Sequence, residues 1–314
     1  MGSNIKIANI LVVCVFLLAL AAMLSPKVIL PSNIRSIYFL WESGHVVLFF
    51  LACHLFYICV PRFANLPFPQ QTIILCGGIA LGAIAIEGLQ SGISGKDLEI
   101  RDIVNDITGV LLFLTSRVKG NRRKKIFIYL PACFLVAIAL WPALCSFADE
   151  MVARYQFPLL ADLETPFEAG RFETKTATAT TSDQYVYHGK HSLKLVFNPG
   201  PWAGVRLEYF PRDWHGYTYL HFALYNPEQK ALTVEVMIQD DLNGQPGNKQ
   251  YNDLRGQNMS LPPGEWTTAR IPFADIQNVL KTRYIDLTKI TGVGFYLERQ
   301  EQQLTLYLDA IRLE

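Results

Sequence analysis

The first half of the chain contains apolar segments long enough to cross a lipid bilayer as helices. A bilayer core is about 30 Å thick, and a helix needs roughly 20 residues to cross it. Segments of about this length, with few charges, occupy residues 7–24, 37–60, 72–89 and 126–147. A further segment, 98–118, is apolar only in its second half. We therefore predict an α-helical transmembrane bundle of about five helices in residues 1–148.

The second half follows a different pattern. Residues 162–314 alternate polar and apolar side chains in short runs, separated by turn sequences such as Asn243-Gly244. This alternation is typical of β-strands with one buried face. We expect strands at residues 192–197, 219–225, 232–238, 292–297 and 304–308. The chain is thus predicted to be multi-domain, with a linker at 149–161 between the membrane bundle and an all-β sandwich.

Charge and cysteine content narrow the classes of function. The formal net charge is +1, which gives no support for nucleic acid as a partner. All six cysteines lie in the apolar first half, and no pair has metal-ligand or redox spacing. We interpret them as small buried apolar side chains.

The distribution of Lys and Arg predicts an orientation. With five spans and a cytoplasmic N-terminus, the inner loops hold Lys6, Arg62 and the basic cluster at 117–125. This excess favours the arrangement under the positive-inside rule. We predict a multi-pass protein of the bacterial cytoplasmic (inner) membrane, with its C-terminal domain outside the cytoplasm. The first span is interpreted as an uncleaved anchor because its apolar core is long for a signal peptide, although cleavage stays an alternative.

Polar residues within the predicted spans are candidates for a binding site. A charge at mid-bilayer costs about 2.5–3.5 kcal/mol on the insertion scale, so such residues usually have a function. With the predicted topology, these positions share one level near the external surface. Simple alternatives are helix capping for Asp102 and packing for His45. The predicted ligand-binding residues of the membrane site are His45, Glu87, Gln90, Lys96, Asp102 and Asp106.

The same residues carry a resemblance to a known family. Glu87-Gly-Leu-Gln90 is followed by Gly95-Lys96 and then by Asp102, Asn105, Asp106 and Gly109. With His45 in the preceding span, residues 35–118 resemble the VanZ-like membrane family. Lys96 stands where that family usually has Arg, and Asp106 where it usually has Asn. The resemblance implies a small envelope membrane protein without a known reaction, some of whose relatives are linked to resistance to glycopeptide antibiotics.

The second half resembles the galactose-binding-like jelly roll of carbohydrate-binding modules. The matching pieces are Phe167-Glu168, the run from His188 to Leu195, Pro263-Gly-Glu-Trp266, the run from Arg270 to Phe273, and the run from Leu306 to Leu313. The resemblance covers residues 162–314. In many such modules, acids near the two chain ends hold a structural calcium. Glu168 and Asp309 occupy comparable places and are the calcium candidates; no other cofactor is expected.

Aromatic residues in the second half are candidates for contact with sugars. Flat rings with polar edges suit sugar faces, and exposed rings often mark binding surfaces. Packing in the core or at strand edges is the alternative interpretation. The predicted glycan-binding residues are Trp202, Tyr209 and Trp214.

The leading functional hypothesis is a non-enzymatic envelope protein. Its membrane half would bind a membrane lipid, a lipid-linked glycan or an envelope-active amphiphile, and its external half an envelope polysaccharide. One alternative is an intramembrane acid/base enzyme, with Glu87 or Asp102 as the catalytic residue acting on a polyprenyl-phosphate-type substrate. Another is a membrane-anchored module that docks a protein.

Overall fold

The computed structural model describes residues 12–18, 34–79, 81, 100–118, 122–241, 256–279 and 284–314. Three residues of the predicted membrane site, Glu87, Gln90 and Lys96, lie outside these ranges. The chain divides into two compact units, Met1–Cys145 and Ser146–Glu314. Each unit is described by itself.

The first unit is helical. Its helices are α1 at residues 12–18, α2 (Arg35–Glu42), α3 (Gly44–Cys59), α4 (Pro61–Ala64), α5 at residues 68–79, α6 (Ile100–Arg117) and α7 (Arg122–Gln156), the last of which continues into the second unit. The backbones of α3 and α6 approach closely at Gly109, which has no side chain. A Cβ atom at this position would collide with the carbonyl oxygen of Val46. The helical unit also has a small apolar core that includes Cys53, Val110 and Phe113.

Two stretches of the described residues are long and apolar enough to cross a membrane, Arg35–Cys59 and Lys125–Gln156. They correspond to the second and last predicted spans. Helix α6 is not one of them; its 18 residues include the charged side chains of Arg101, Asp102, Asp106 and Arg117. The first and third predicted spans are described only in part. The five-helix bundle therefore stays a prediction.

The second unit is a sandwich of two antiparallel sheets within the described residues. Its strands are β1 (Leu159–Ala161), β2 (Phe172–Lys175), β3 (Ala177–Ser182), β4 (Ser192–Phe197), β5 (Gly200–Leu207), β6 (Tyr219–Tyr225), β7 (Leu232–Asp240), β8 (Gln257–Leu261), β9 (Trp266–Pro272), β10 (Ile290–Gln300) and β11 (Leu304–Leu313). The first sheet has the order β3-β4-β11-β6-β9, with β1 also pairing with β11, and the second has the order β2-β5-β10-β7-β8. A short helix, α8 (Phe273–Val279), follows β9.

The core of the sandwich lies between the two sheets. Alternate residues of β4, β6, β10 and β11 point into it, as the period of two requires. Phe197, Phe222 and Phe295 are among its fully buried side chains, and the rings of Phe222 and Phe295 meet edge to face across the sheets. This apolar core, formed within one unit, confirms the predicted β-sandwich.

The predicted linker at 149–161 is corrected by the structure. Helix α7 continues to Gln156, and β1 (Leu159–Ala161) pairs with β11 in the first sheet. Leu160 and Ala161 are fully buried in the sandwich core. The segment is therefore part of the folded unit rather than a spacer.

Candidate functional site

The outer face of the second sheet carries two neighbouring aromatic side chains. In the pairing of β5 with β10, Trp202 lies opposite Glu298 and Gly204 lies opposite Tyr296. Because successive residues of a strand alternate between faces, Trp202 and Tyr296 share the outer face. Their ring centroids are 5.3 Å apart, with an interplanar angle of 34°. The indole of Trp202 is 39% exposed.

The ring of Tyr296 lies against the sheet because glycines leave room for it. A side chain at Gly204, on the adjacent strand, would collide with the ring, and so would one at Gly294, two residues earlier on β10. Burial raises the pKa of the Tyr296 phenol, so the hydroxyl stays protonated at neutral pH. Trp202 and Tyr296, with the glycines beneath, are called the aromatic platform below.

Polar groups lie beside the aromatic platform. The guanidinium of Arg206 donates to Gln239 Oε1 at 2.9 Å and to Glu173 Oε2 at 3.1 Å, and it also pairs with Glu208. The stem of Arg206 lies over Gly292, as the ring of Tyr296 lies over Gly204. The carboxylates balance the positive charge, so this edge offers hydrogen-bonding groups without a strong positive field.

The three predicted glycan-binding residues lie in different surroundings. Trp202 belongs to the aromatic platform. Trp214 is fully buried, stacks on Phe273 at 5.6 Å and donates its indole N–H to the Pro211 carbonyl at 3.1 Å. Trp214 is thus a core residue, and we correct its proposed role in binding sugar. Tyr209 is half-buried and lies beyond the opposite end of β5 from Trp202.

Sequence reasoning missed Tyr296. The available signal was the run Gly292-Val-Gly294-Phe-Tyr296, in which both glycines share a face of the strand with the tyrosine. Its meaning depends on the pairing with β5, which brings in Gly204. A glycine-lined strand face followed by an aromatic residue marks a place where a ring can lie flat.

A second aromatic group lies on the outer face of the first sheet. Tyr307, Tyr225 and Trp266 are neighbours in register across β11, β6 and β9. Tyr185 from the β3–β4 loop stacks on Tyr225 at 4.3 Å, and Tyr187 lies 5.4 Å from Trp266. Tyr185 is 39% exposed and Tyr187 is 44% exposed, so this face also presents ring surface, in a packed cluster rather than against a glycine-lined strand face.

The carboxylates of the two calcium candidates are already bonded. Glu168 is fully buried and accepts hydrogen bonds from the backbone N–H groups of Asp162, Leu163 and Thr165. Asp309 is also fully buried and accepts backbone hydrogen bonds, including one from His188. Burial raises the pKa of Asp309. In the ranges that the structure describes, no group of three or more His, Cys, Asp or Glu side chains is arranged to hold a metal ion.

The helical unit brings part of the predicted membrane site together. His45 Nδ1 on α3 lies 3.0 Å from Asp106 Oδ1 on α6. Arg101 donates to Glu42 at 2.8 Å. Asn105 donates from Nδ2 to the Glu42 carbonyl at 3.3 Å, while its buried Oδ1 has no hydrogen-bond partner among the described residues. These residues are called the polar cluster below.

Asp102, the remaining predicted member, lies in the first turn of α6. An acid is favoured there by the helix dipole, which agrees with the capping alternative. The contacts of Glu87, Gln90 and Lys96 fall outside the described residues, so their membership of the site stays a prediction.

The two sheets and their common core form a β-sandwich that carries the aromatic platform on an outer face. Residues 161–314 of the chain, which form this sandwich, match the family model described as Carbohydrate binding domain 30. The match begins in β1 and does not include the helical unit. No family model of the VanZ-like type matched the chain. Comparison with curated proteins gave no match.

Several solved structures are similar to about half of this chain. A family 11 carbohydrate-binding module from Clostridium thermocellum, in complex with a β-1,3-1,4-mixed-linked tetrasaccharide, is 16% identical, with a TM-score of 0.37, and the match covers 49% of this chain and 93% of that one. A xylan-binding domain of family 22 is 15% identical, with a TM-score of 0.33 and coverage of 48% and 90%. An exo-β-agarase is 14% identical, with a TM-score of 0.40 and 50% of this chain covered; the chain spans about a quarter (24%) of that enzyme.

Proposed function

We propose that this chain is a membrane-anchored glycan-binding protein of the bacterial envelope, and that the aromatic platform binds a neutral polysaccharide outside the cytoplasm. The observation that carries the proposal is the ring of Tyr296, which lies over Gly204 and Gly294 beside the exposed indole of Trp202. The match of residues 161–314 to a carbohydrate-binding family supports the class of ligand.

The chemistry of the platform suits a sugar chain. Binding sites for small organic groups combine apolar and aromatic walls with a few placed polar groups that fix orientation. Here two rings supply the apolar surface. Arg206, Gln239 and Glu173 supply donors and acceptors for hydroxyl groups beside it. Because Arg206 is already neutralised by acids, an anionic polysaccharide gains little from this surface, and we infer a neutral ligand.

The helical unit supports membrane attachment. Helix α7 exposes large apolar side chains, including Phe127 at 81%, Leu130 at 70% and Phe134 at 67%. Exposed apolar area on this scale marks a surface that contacts other apolar groups. Lipid is the contact expected from the length and hydropathy of Lys125–Gln156.

The test compares variants of the full-length protein in detergent. Trp202→Ala and Tyr296→Ala each remove a ring, and we expect each to weaken polysaccharide binding roughly tenfold or more, as truncation of a binding hot spot does. Affinity electrophoresis against mixed-linkage β-glucan, xylan and agarose measures the change. These neutral polymers are compared with anionic polygalacturonate.

Tyr187→Ala is the matched control, because it removes a 44% exposed ring from the β3–β4 loop, which packs on the other sheet. We expect it to bind as the parent protein does. If both platform variants keep full affinity, or if only the control loses it, the proposed site is wrong. Tighter binding of polygalacturonate than of the neutral polymers would contradict the inferred ligand class.

For the polar cluster, we propose that it binds the polar head of a lipid-linked glycan or of an envelope-active amphiphile. The contact between His45 and Asp106, residues 61 positions apart, is the observation that favours a built site over isolated helix caps. Asn105 contributes a buried oxygen that can accept a further hydrogen bond. We expect His45→Ala and Asn105→Ala to reduce labelling of the protein in nanodiscs by a photoreactive polyprenyl-phosphate-linked saccharide.

Thr115→Ala, on the same helix as Asn105, serves as the control for that experiment. Thr115 is buried and bonds only within its own helix turn in the described structure. Equal labelling of all variants would contradict a ligand at the polar cluster. Turnover of the probe by the parent protein, lost in Asp102→Asn, would instead favour the enzymatic alternative.

A further inference from the structure

The guanidinium of Arg171 lies at the centre of a group of oxygen atoms inside the sandwich unit. Its side chain is fully buried. Nε and Nη2 donate to the carboxylate of Asp149, with distances of 2.7–3.1 Å. Nη1 donates to the carbonyl of Leu160 at 2.7 Å. On the same side, Glu168 Oε2 lies 3.9 Å from Nη1.

This arrangement places one permanent positive charge among buried negative ones. Asp149 is 2% exposed and Glu168 is fully buried. A guanidinium stays protonated at any physiological pH, and its planar fork suits a carboxylate and a carbonyl together. Two buried carboxylates without a nearby cation would be costly, so Arg171 provides the charge that lets Glu168 and Asp149 be buried.

The groups around Glu168 do not fit a calcium ion. Calcium takes six to eight oxygen ligands at about 2.3–2.6 Å. Both oxygens of Glu168 instead face hydrogen atoms, from three backbone N–H groups and from the hydroxyl of Thr165. The Leu160 carbonyl, an oxygen of the type that calcium uses, is bonded to Arg171.

The carboxylate of Asp309, the second calcium candidate, is also surrounded by hydrogen-bond donors. Its oxygens accept hydrogen bonds from the backbone N–H groups of Tyr187, His188 and Ala310. Such donors present the positive end of a dipole and would repel a cation. Thus neither carboxylate faces the set of oxygen atoms that calcium needs.

We propose that Arg171 is a built-in cation that replaces structural calcium in this sandwich, so that the domain keeps its fold without the metal. The proposal is independent of which ligand the aromatic platform binds. It also makes Asp149, which precedes the matched residues 161–314, an essential part of the folded domain.

The first experiment measures calcium dependence in the full-length protein in detergent. Thermal unfolding is followed by near-ultraviolet circular dichroism in CaCl2 and, separately, in EGTA. We expect the same midpoint in both. A structural ion present at a hundred times its Kd would instead raise the midpoint by roughly 5–10 °C. A shift of that size in the parent protein would overturn the proposal.

The second experiment tests the cation itself. Arg171→Met removes the charge while keeping a chain of similar reach, and we expect the unfolding midpoint to fall by roughly 10 °C. Arg270→Met is the matched control: Arg270 pairs with Glu314, but its side chain is 57% exposed, so its loss should change little. Equal midpoints for the two variants would contradict the proposal. If Arg171→Met does not fold, the comparison of CaCl2 with EGTA still decides.

Discussion

Gly204 lies directly opposite Tyr296 in the pairing of β5 with β10, and the tyrosine ring covers the position that a side chain at Gly204 would fill. We therefore predict that Gly204→Ala tilts the ring away from the sheet. Polysaccharide binding should weaken roughly tenfold while the sandwich stays folded. Affinity electrophoresis measures the binding, and circular dichroism checks the fold.

Gly200→Ala is the control for this change. Gly200 begins the same strand, and a Cβ there would meet no atom within 4 Å. It should bind like the parent protein. Unchanged binding by Gly204→Ala would show that the flat ring is not required.

The ion pair of Asp149 with Arg171 predicts where the folded domain begins. A fragment of residues 146–314 keeps the pair, whereas a fragment of residues 161–314 lacks Asp149 and Leu160 and leaves the buried guanidinium with Glu168, 3.9 Å away, as its acidic partner. Breaking a buried pair costs about 3–5 kcal/mol. We expect the shorter fragment to be less stable by at least that amount, and urea unfolding followed by tryptophan fluorescence compares the two. Fragments of equal stability would contradict a structural role for Asp149.

Substitutions of Trp202 and Trp214 should have different effects on stability, because only Trp214 is buried. Trp214→Ala removes a buried core side chain and should destabilise the 146–314 fragment by about 3–5 kcal/mol. Trp202→Ala removes an exposed ring and should change stability by less than about 0.5 kcal/mol. Urea unfolding measures both. Trp214→Phe, which keeps a ring in the core, should retain polysaccharide binding; its loss would restore Trp214 as a contact residue.

Glu164 predicts how the β3–β4 loop responds to acid. Its Oε1 accepts hydrogen bonds from the backbone N–H groups of Lys190 at 2.7 Å and His191 at 2.9 Å, and these bonds lower the pKa of Glu164. Because the pKa is lowered, the stabilisation that these two hydrogen bonds give is fully present above the ordinary pKa of a glutamate. It is lost as the pH falls through the lowered pKa of Glu164 in the folded state.

The measurement is an NMR pH titration of the 146–314 fragment. The amide shifts of Lys190 and His191 should move together, with a midpoint below that of an ordinary glutamate. In Glu164→Gln the side chain can still accept but does not titrate, so this step should vanish. A titration that persists in Glu164→Gln would assign it to another group.

Sequence patterning predicted the strands whose alternation involves large side chains. In β4 and β6, buried Leu and Phe side chains occupy every second position. Two other strands were not predicted, because small residues give a weak alternation signal. They are β3, with the sequence Ala-Thr-Ala-Thr-Thr-Ser, and β5, which contains glycine and proline. Pairing with neighbouring strands, rather than their own pattern, makes them strands.

The candidate site was only partly predictable for a related reason. Trp202 and Trp214 are the same residue type in similar local sequence, and only tertiary packing decides that one ring is exposed and the other buried. Tyr296 becomes part of a platform only when β10 pairs with β5. Arg171 gives no sequence signal, because Asp149 near the end of α7 meets it only when residues 146–314 fold.

The order of attachment along the chain has a mechanical consequence. If the helical unit is anchored in lipid and the aromatic platform binds a polymer, as proposed, a pull on the polymer loads the segment that joins the two units. That segment enters the sandwich at β1, which pairs with β11 over only three residues. Asp149 comes earlier along the chain than β1. Tension would therefore reach the ion pair of Asp149 with Arg171 before it could separate this short strand from the sheet.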